Sequence, residues 1–266
     1  MTNFKSWRIG EIKVTRILEM ATWVLPPQLM LKGASPSDVL AVDWLRPDFA
    51  TATGEILINI QAMMIEAGAK RIMVDPCIGN DKDRGSTPIS MLNNPFLDRL
   101  AAAGFTRESI DVVLCTHLHT DHVGWNTMLV DGEWVPTFPN ARYLFARREF
   151  EHASTEETEE VEVLAYRDSV APVVAAGLVD LVDSDHVITE GVRLEPSPGH
   201  TPGHCIVMIS SNGEEAVITG DTIHHPLQMA WPDICSVFCR DEAQAVATRR
   251  SILGRIAGTP TLLLGT

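Results

Sequence analysis

Apolar residues along this chain fall into short runs bounded by Gly, Pro and Asp, not into long helical stripes. Ile56 to Glu66 alternates well enough for a strand, Gly68 makes a turn, and Arg71 to Asp75 returns as a second strand, so a hairpin is expected. Asp111 to Cys115 is a short apolar run of the kind buried on both faces. Ala141–Phe145, Leu178–Val182, Val192–Glu195, Cys205–Ile209, Ala216–Thr219 and Thr261–Leu264 read as further short strands. The mixed segment from Met1 to Lys13 reads as the first strand. Helical spacing appears in Phe96–Ala103, which ends at Gly104, and in Asp241–Ala257, which ends near Gly258. A mostly helical insert is expected at about 148–177, with five glutamates between Glu156 and Glu162 forming a solvated face. Pro26, Pro27, Pro36 and Pro47 break the segment from Leu25 to Asp48, which reads as an apolar loop or lid at about 20–50. Strands outnumber helices and come in hairpin-like runs between helical blocks. That pattern suits two sheets packed face to face with helices outside.

Composition narrows the partners. The 266 residues carry 21 basic and 35 acidic side chains, a formal net charge of −14. Such a surface repels phosphate backbones and anionic lipids, so neither nucleic acid nor membrane is expected. No uninterrupted apolar stretch is long enough to span a bilayer, and Met1 to Lys13 lacks a signal pattern, so a cytoplasmic location is the default. A homodimer is compatible with the sequence. The five cysteines are scattered and odd in number, which argues against a disulfide framework. Cys235 and Cys239 read as small buried residues.

The chemistry concentrates at Cys115–Gly124, which reads C-T-H-L-H-T-D-H-V-G. Three of the nine histidines and one aspartate (His117, His119, Asp121 and His122) fall within six residues after a buried strand. Imidazole nitrogens suit zinc, and a carboxylate adds a hard anionic ligand. Two further segments share the strand-end context. Pro196–His204 reads P-S-P-G-H-T-P-G-H and presents His200 and His204. Ala216–Asp221 reads A-V-I-T-G-D and ends in an acid able to bridge two metals.

Together these three motifs, in this order, resemble the metallo-β-lactamase superfamily. The resemblance covers most of the chain from Ile56 onward, and H-x-H-x-D-H is among the more specific short metal motifs. It implies an α+β fold, an αβ/βα four-layer sandwich with two central mixed sheets and outer helices, formed by residues 1–266 as one domain. It implies two divalent metal ions, zinc by preference. His117, His119 and His200 would hold the first, Asp121 and His122 the second, and Asp221 would bridge them. His204 does not match a ligand position and is read as supporting or structural. The superfamily supplies one more histidine after the last strand, whereas here only Gly265 and Thr266 follow Thr261–Leu264. Truncation is the favoured account, and a firm first site with a weaker second is the expectation.

The implied mechanism uses metal-bound hydroxide, because coordination lowers the pKa of water towards roughly 7. Asp121 and His122 are the catalytic candidates, with Asp121 orienting the water or moving its proton. Trp23, Leu25 and Met30, with other apolar residues such as Leu29, Leu31, Trp44, Phe49, Phe138, Met229, Trp231 and Phe238, suggest an apolar, uncharged small-molecule substrate. His224 and His225 follow Asp221 closely, and one of them is a substrate contact. The runs D-W-L-R-P-D-F and G-D-T-I-H-H-P resemble the lactonase and methyl-parathion-hydrolase-like subgroup. The expected activity is therefore opening of a lactone or carboxylic ester. The alternatives are a phosphotriesterase or arylesterase of the same superfamily, a di-iron redox module, or a metal-binding module.

Overall fold

The computed structural model describes residues 4–154 and 160–266. The strands are β1 (Ser6–Ile9), β2 (Ile12–Leu25), β3 (Ile56–Ala67), β4 (Lys70–Val74), β5 (Val112–Leu114), β6 (Thr127–Val130), β7 (Glu133–Pro136), β8 (Arg142–Ala146), β9 (Val179–Val182), β10 (Val187–Thr189), β11 (Val192–Pro196), β12 (Cys205–Ser211), β13 (Glu214–Ile218) and β14 (Leu262–Leu264). The helices are α1 (Pro36–Leu40), α2 (Phe96–Ala102), α3 (Thr120–Val123), α4 (Arg147–Ala153), α5 (Glu160–Ala165), α6 (Ala171–Ala175), α7 (Leu227–Ala230) and α8 (Glu242–Ile256).

Two mixed sheets face each other. The larger has seven strands in the order β1-β2-β3-β4-β5-β8-β9, and the smaller has five in the order β10-β11-β12-β13-β14. The first four strands of the large sheet run antiparallel, whereas β4, β5, β8 and β9 run parallel. Strand alternation builds the layers, because successive side chains point to opposite faces. Met63, Ile65, Ile72, Val112 and Leu114 meet Leu194, Val207, Ile209, Ala216 and Ile218 between the sheets. Their neighbours Ala62, Met64, Met73 and Val113 point outward onto Phe96, Leu100, Val170 and Val173 of the helical layer. On the far side, Ile206 and Val217 pack under Ile252 of α8. The result is the four-layer αβ/βα sandwich. No described helix is long and apolar enough to cross a membrane.

Several local expectations are corrected. The first strand is only Ser6–Ile9, because Gly10 turns with φ +55° into the 14-residue β2, which the sequence reading missed. The lid is less loop-like than its prolines suggest. Trp23 and Leu25 belong to β2, Pro36 starts α1 behind a Ser35–Asp38 capping box, and Leu31, Val39, Val42, Leu45 and Leu227 form a small core of their own. The insert holds α4 to α6, with a π-helical turn at Tyr166–Val170. Its acidic patch from Glu156 to Glu162 lies partly outside the described residues. Phe138, taken as a wall for substrate, is fully buried in the main core. The β6–β7 hairpin and β10 were also missed; they are short, and residues such as Leu129, Val130 and Val187 stay exposed.

Candidate metal centre

The chemistry-bearing residues come together where strands end at one edge of the sandwich. β4 runs into Asp75, β5 into Thr116 and His117, β11 into the 197–204 loop, and β13 into Gly220 and Asp221. Clefts outside the carboxyl ends of strands are the usual ligand sites of α/β sheets. Main-chain bonds lock the edge, with Asp75 donating from its amide to Leu114 O at 2.9 Å and Cys205 to Thr116 O at 2.9 Å. The second bond ties one sheet to the other directly under the histidines.

Two donor groups form among the described residues. His117, His119, His200 and Asp221 each offer an atom within 4.8 Å of the others, and Asp121, His122 and Asp221 form the second group. Asp221 is shared: Oδ2 lies 3.2 Å from His200 Nε2 and 3.7 Å from His117 Nε2, whereas Oδ1 lies 3.2 Å from His122 Nε2. His200 Nε2 also stands 3.1 Å from His117 Nε2 and 2.8 Å from His119 Nδ1.

Hydrogen bonding fixes the tautomer of His117. A carboxylate only accepts, so the Thr116 hydroxyl donates to Asp75 Oδ2 at 2.8 Å. Its oxygen then accepts from His117 Nδ1 at 3.1 Å, which leaves the Nε2 lone pair facing the cluster. Burial holds His117 and His200 well below the ordinary imidazole range and pushes His119 down to about 3. Three neutral imidazoles therefore turn nitrogens towards one point, with too few protons to bridge them. A divalent cation relieves that arrangement, and the donor set of three nitrogens and one carboxylate oxygen fits one. At His122 burial opposes a charge, yet Asp221, Asp121 and Asp75 outweigh it and hold the ring well above its ordinary range. Its Nδ1 lies 3.0 Å from Asp75 Oδ2. For Asp221, burial would raise the carboxyl, but His224, His122 and His200 outweigh it and hold it well below the usual range.

The surrounding residues show why the motifs read as they do. In P-S-P-G-H-T-P-G-H the two glycines are packing positions. A Cβ on Gly199 would lie 2.2 Å from Ala245 N at the start of α8, and one on Gly203 would lie 2.2 Å from Glu149 N in α4. His204 is not in either donor group. It accepts the Asp221 amide at Nε2 (3.0 Å) and meets Ser197 Oγ at Nδ1 (2.7 Å), so it holds the backbone of the shared carboxylate.

The remaining candidates separate. His225 uses both ring nitrogens internally, Nε2 donating to Phe49 O at 2.8 Å and Nδ1 accepting from Leu227 N at 3.1 Å. His224 stays beside the cluster, its Nε2 3.2 Å from Asp221 Oδ2 and its ring 4.8 Å from that of His200, with neither nitrogen in a formed hydrogen bond. Trp23, Leu25 and Met30 are half-buried against the lid core, whereas Leu29, Trp44, Phe49, Met229, Trp231 and Phe238 are exposed. Lid and 227–239 segment are joined, since Lys32 N donates to Cys235 O at 2.8 Å and Val237 N to Met30 O at 3.0 Å.

Sequence reasoning missed three residues and read a fourth, Cys239, only as a small buried one, whereas it is half-buried. Asp75, with φ +51°, supports Thr116 and His122. Glu19 lies buried and accepts from Ile78 N, Gly79 N and Trp125 Nε1, steadying the loop beside α3. Glu149 bridges the two histidine loops. Cys239 places its sulfur 3.8 Å from His200 Nδ1. Only the V-D-P run after β4 carried a local signal, an acid at a buried strand's end.

Known proteins give the same picture. Residues 57–259 match the family described as the metallo-beta-lactamase superfamily. Over 119 residues, 45% of the chain, the sequence is 28% identical to an N-acyl homoserine lactonase of Bacillus sp and 27% identical to one of Bacillus cereus. The match spans only 40% of each of those proteins. In three dimensions the chain resembles AbOPH, a hydrolase in the beta lactamase superfamily (TM-score 0.79, 24% identity, 100% of this chain and 90% of that one). It resembles AidC, a dizinc quorum-quenching lactonase, equally well (TM-score 0.79, 19% identity, 99% of this chain and 90% of that one). At such identities the likeness speaks for the fold. Because the family match runs from β3 to beyond α8 and takes in all three strand-end motifs, this chain belongs to the metallo-β-lactamase superfamily.

Proposed function

We propose that this protein is a metal-dependent hydrolase that opens a lactone or carboxylic ester of an apolar, uncharged substrate. The observation that carries the reading is the meeting of three neutral imidazoles with the shared carboxylate of Asp221 at one edge of the sandwich. His117, His119, His200 and Asp221 would hold one divalent cation, and Asp121, His122 and Asp221 a second; zinc suits these donors best. When bound, such cations supply Lewis acidity, activating water near neutral pH and polarising a carbonyl.

The chain's own residues divide the remaining work. Asp121 is the more open of the two cluster carboxylates (side chain 39% exposed against 13% for Asp221). It would take a proton from water and pass it to the leaving oxygen. His122 is held between Asp75 and Asp221, its Nε2 turned towards the other two members of the second donor group. His224, whose two buried ring nitrogens have no hydrogen-bond partner beside Asp221, is the substrate contact, and His225 anchors the lid. Leu29, Trp44, Phe49, Trp231 and Phe238 would receive an apolar chain, with Trp23, Leu25 and Met30 supporting them from below. Buried Asp75 and Glu149, close to the cluster, disfavour an anionic substrate.

The Bacillus relatives support a lactone over other esters, although the match spans 40% of their length. The test is a hydrolysis panel on zinc-reconstituted protein: lactones with short and long acyl chains, aryl esters, a phosphotriester and a β-lactam. Turnover is expected to be fastest with long-chain lactones and to vanish in His119→Ala. Best turnover of the phosphotriester would move the assignment to a phosphotriesterase. No turnover of any lactone or ester with both donor groups loaded would overturn it, and a coloured protein holding mainly iron would favour redox chemistry.

A further inference from the structure

The two loops that carry the first donor group come from distant parts of the chain. His117 and His119 follow β5, and His200 lies between β11 and β12. No strand pairing connects them, because the loops lie beyond the ends of their sheets. A side chain from a third element spans the gap. Glu149 in α4 is 2% exposed. Its Oε1 accepts from Leu118 N at 3.1 Å, the amide between the two motif histidines. Its Oε2 accepts from Thr201 Oγ1 at 2.7 Å and from Gly203 N at 3.1 Å, on the residues that follow His200. Gly203 permits this approach, since a Cβ there would collide with the α4 backbone at 2.2–2.5 Å.

All three of those donors are neutral. A buried carboxylate held only by neutral donors is costly unless a positive charge lies nearby. We infer that Glu149 is a positioning residue for the metal centre: one buried carboxylate clasps the His117–His119 loop to the His200 loop and sets how tightly the first cation is held. Its two oxygens fix the separation of the loops. Its charge, which nothing neutral can replace, complements the cation that those loops surround.

Glutamine matches the shape of Glu149 but cannot satisfy all the donors. One oxygen becomes an NH2 group: facing Leu118 N–H it releases the His117–His119 loop, and facing Gly203 N–H it leaves that amide without an acceptor and holds the His200 loop only through Thr201, whose hydroxyl can turn to accept. Aspartate keeps the charge but is one methylene too short to span both loops. Thr201→Val removes a single bond with little change of volume.

The inference rests on the metal-dependent reading above, and one experiment separates the two. Zinc affinity is measured by competition with a chromophoric chelator, together with the zinc-induced rise in Tm, for the wild type, Glu149→Gln, Glu149→Asp and Thr201→Val. Loss of an outer partner of metal ligands typically lowers affinity about 10–100-fold. Glu149→Gln should fall in that range with a smaller zinc-induced Tm rise, Glu149→Asp should recover part of the loss, and Thr201→Val should lose several-fold. Wild-type zinc affinity in a folded Glu149→Gln variant would overturn the inference, as would a loss of metal-free stability with affinity unchanged. Should Glu149→Gln fail to fold, Thr201→Val decides: unchanged affinity there overturns the inference, and weakened affinity supports it. A wild type that binds no metal would instead sink the metal-dependent reading itself.

Discussion

His204 shows how a residue outside the donor groups controls the shared carboxylate. The Asp221 amide donates to its Nε2 at 3.0 Å, so the ring proton resides on Nδ1 and is donated to Ser197 Oγ at 2.7 Å. The ring is buried, and burial lowers its pKa to about 4. Two substitutions split its contacts. In His204→Asn the side-chain amide stands where Nδ1 was; it can still reach Ser197, but the Asp221 amide loses its acceptor. In His204→Gln the longer side chain places an oxygen near the former Nε2 and keeps that acceptor, while Ser197 loses its donor and can turn its hydroxyl elsewhere. Both variants shrink a buried ring, and Asn leaves one methylene more of cavity than Gln, worth about 0.8 kcal/mol. The rest of the difference between them is one buried, unsatisfied N–H, which costs roughly 1–3 kcal/mol. Urea unfolding of the metal-free variants should therefore find Asn less stable than Gln by more than the roughly 0.8 kcal/mol of the methylene alone. Chelator competition should find zinc held more weakly by Asn, because Asp221 hangs from the loosened peptide. Equal stability and equal zinc affinity of the two variants would refute the reasoning.

Acid should unfold the metal-free protein early. Burial holds His117 and His200 well below the ordinary range, His119 at about 3 and His204 at about 4, against roughly 6.5 in an unfolded chain. Below 6.5 the unfolded state binds more protons, so stability falls with pH by up to about 1.4 kcal/mol per pH unit for each such histidine. His122, raised in the fold, is protonated in both states there and adds no slope; Glu19 and Glu149, raised by burial, oppose the trend as they take up protons. Urea midpoints that stay flat between pH 5 and 6.5 would contradict this, and zinc should move the acid transition lower. Two glycines should respond in opposite directions. A Cβ on Gly124 would lie 1.6 Å from Ile78 O, so Gly124→Ala must push the 76–79 loop off α3 and should cost about 3 kcal/mol or more. Gly254, inside α8 with nothing within 4 Å of its would-be Cβ, should gain about 0.5–1 kcal/mol as alanine; thermal melts would check both.

Local pattern was enough for much of this molecule. The apolar runs of β3, β5, β12 and β13 are buried strands because their apolar residues face a second layer on either side, and that burial is written into the residues themselves. The spacing of His117, His119, Asp121 and His122 forces four donors onto one strand-to-helix turn, whatever the rest of the chain does. The strands missed, β6, β7 and β10, are short with exposed apolar residues, where periodicity carries little information. Tertiary structure alone brought His200 to within 3.1 Å of His117, 83 residues away, and made Asp221 common to both groups. It also chose the supports. Asp75, Glu19, Glu149, His204 and Cys239 act through partners that lie up to 191 residues distant, as in the bond from Thr266 Oγ1 to Asp75 Oδ2. A carboxylate on β2 or α4 looks in sequence like any solvated acid. It becomes a clasp only because the packing of two sheets removes its water and leaves main-chain amides as the groups that can satisfy it.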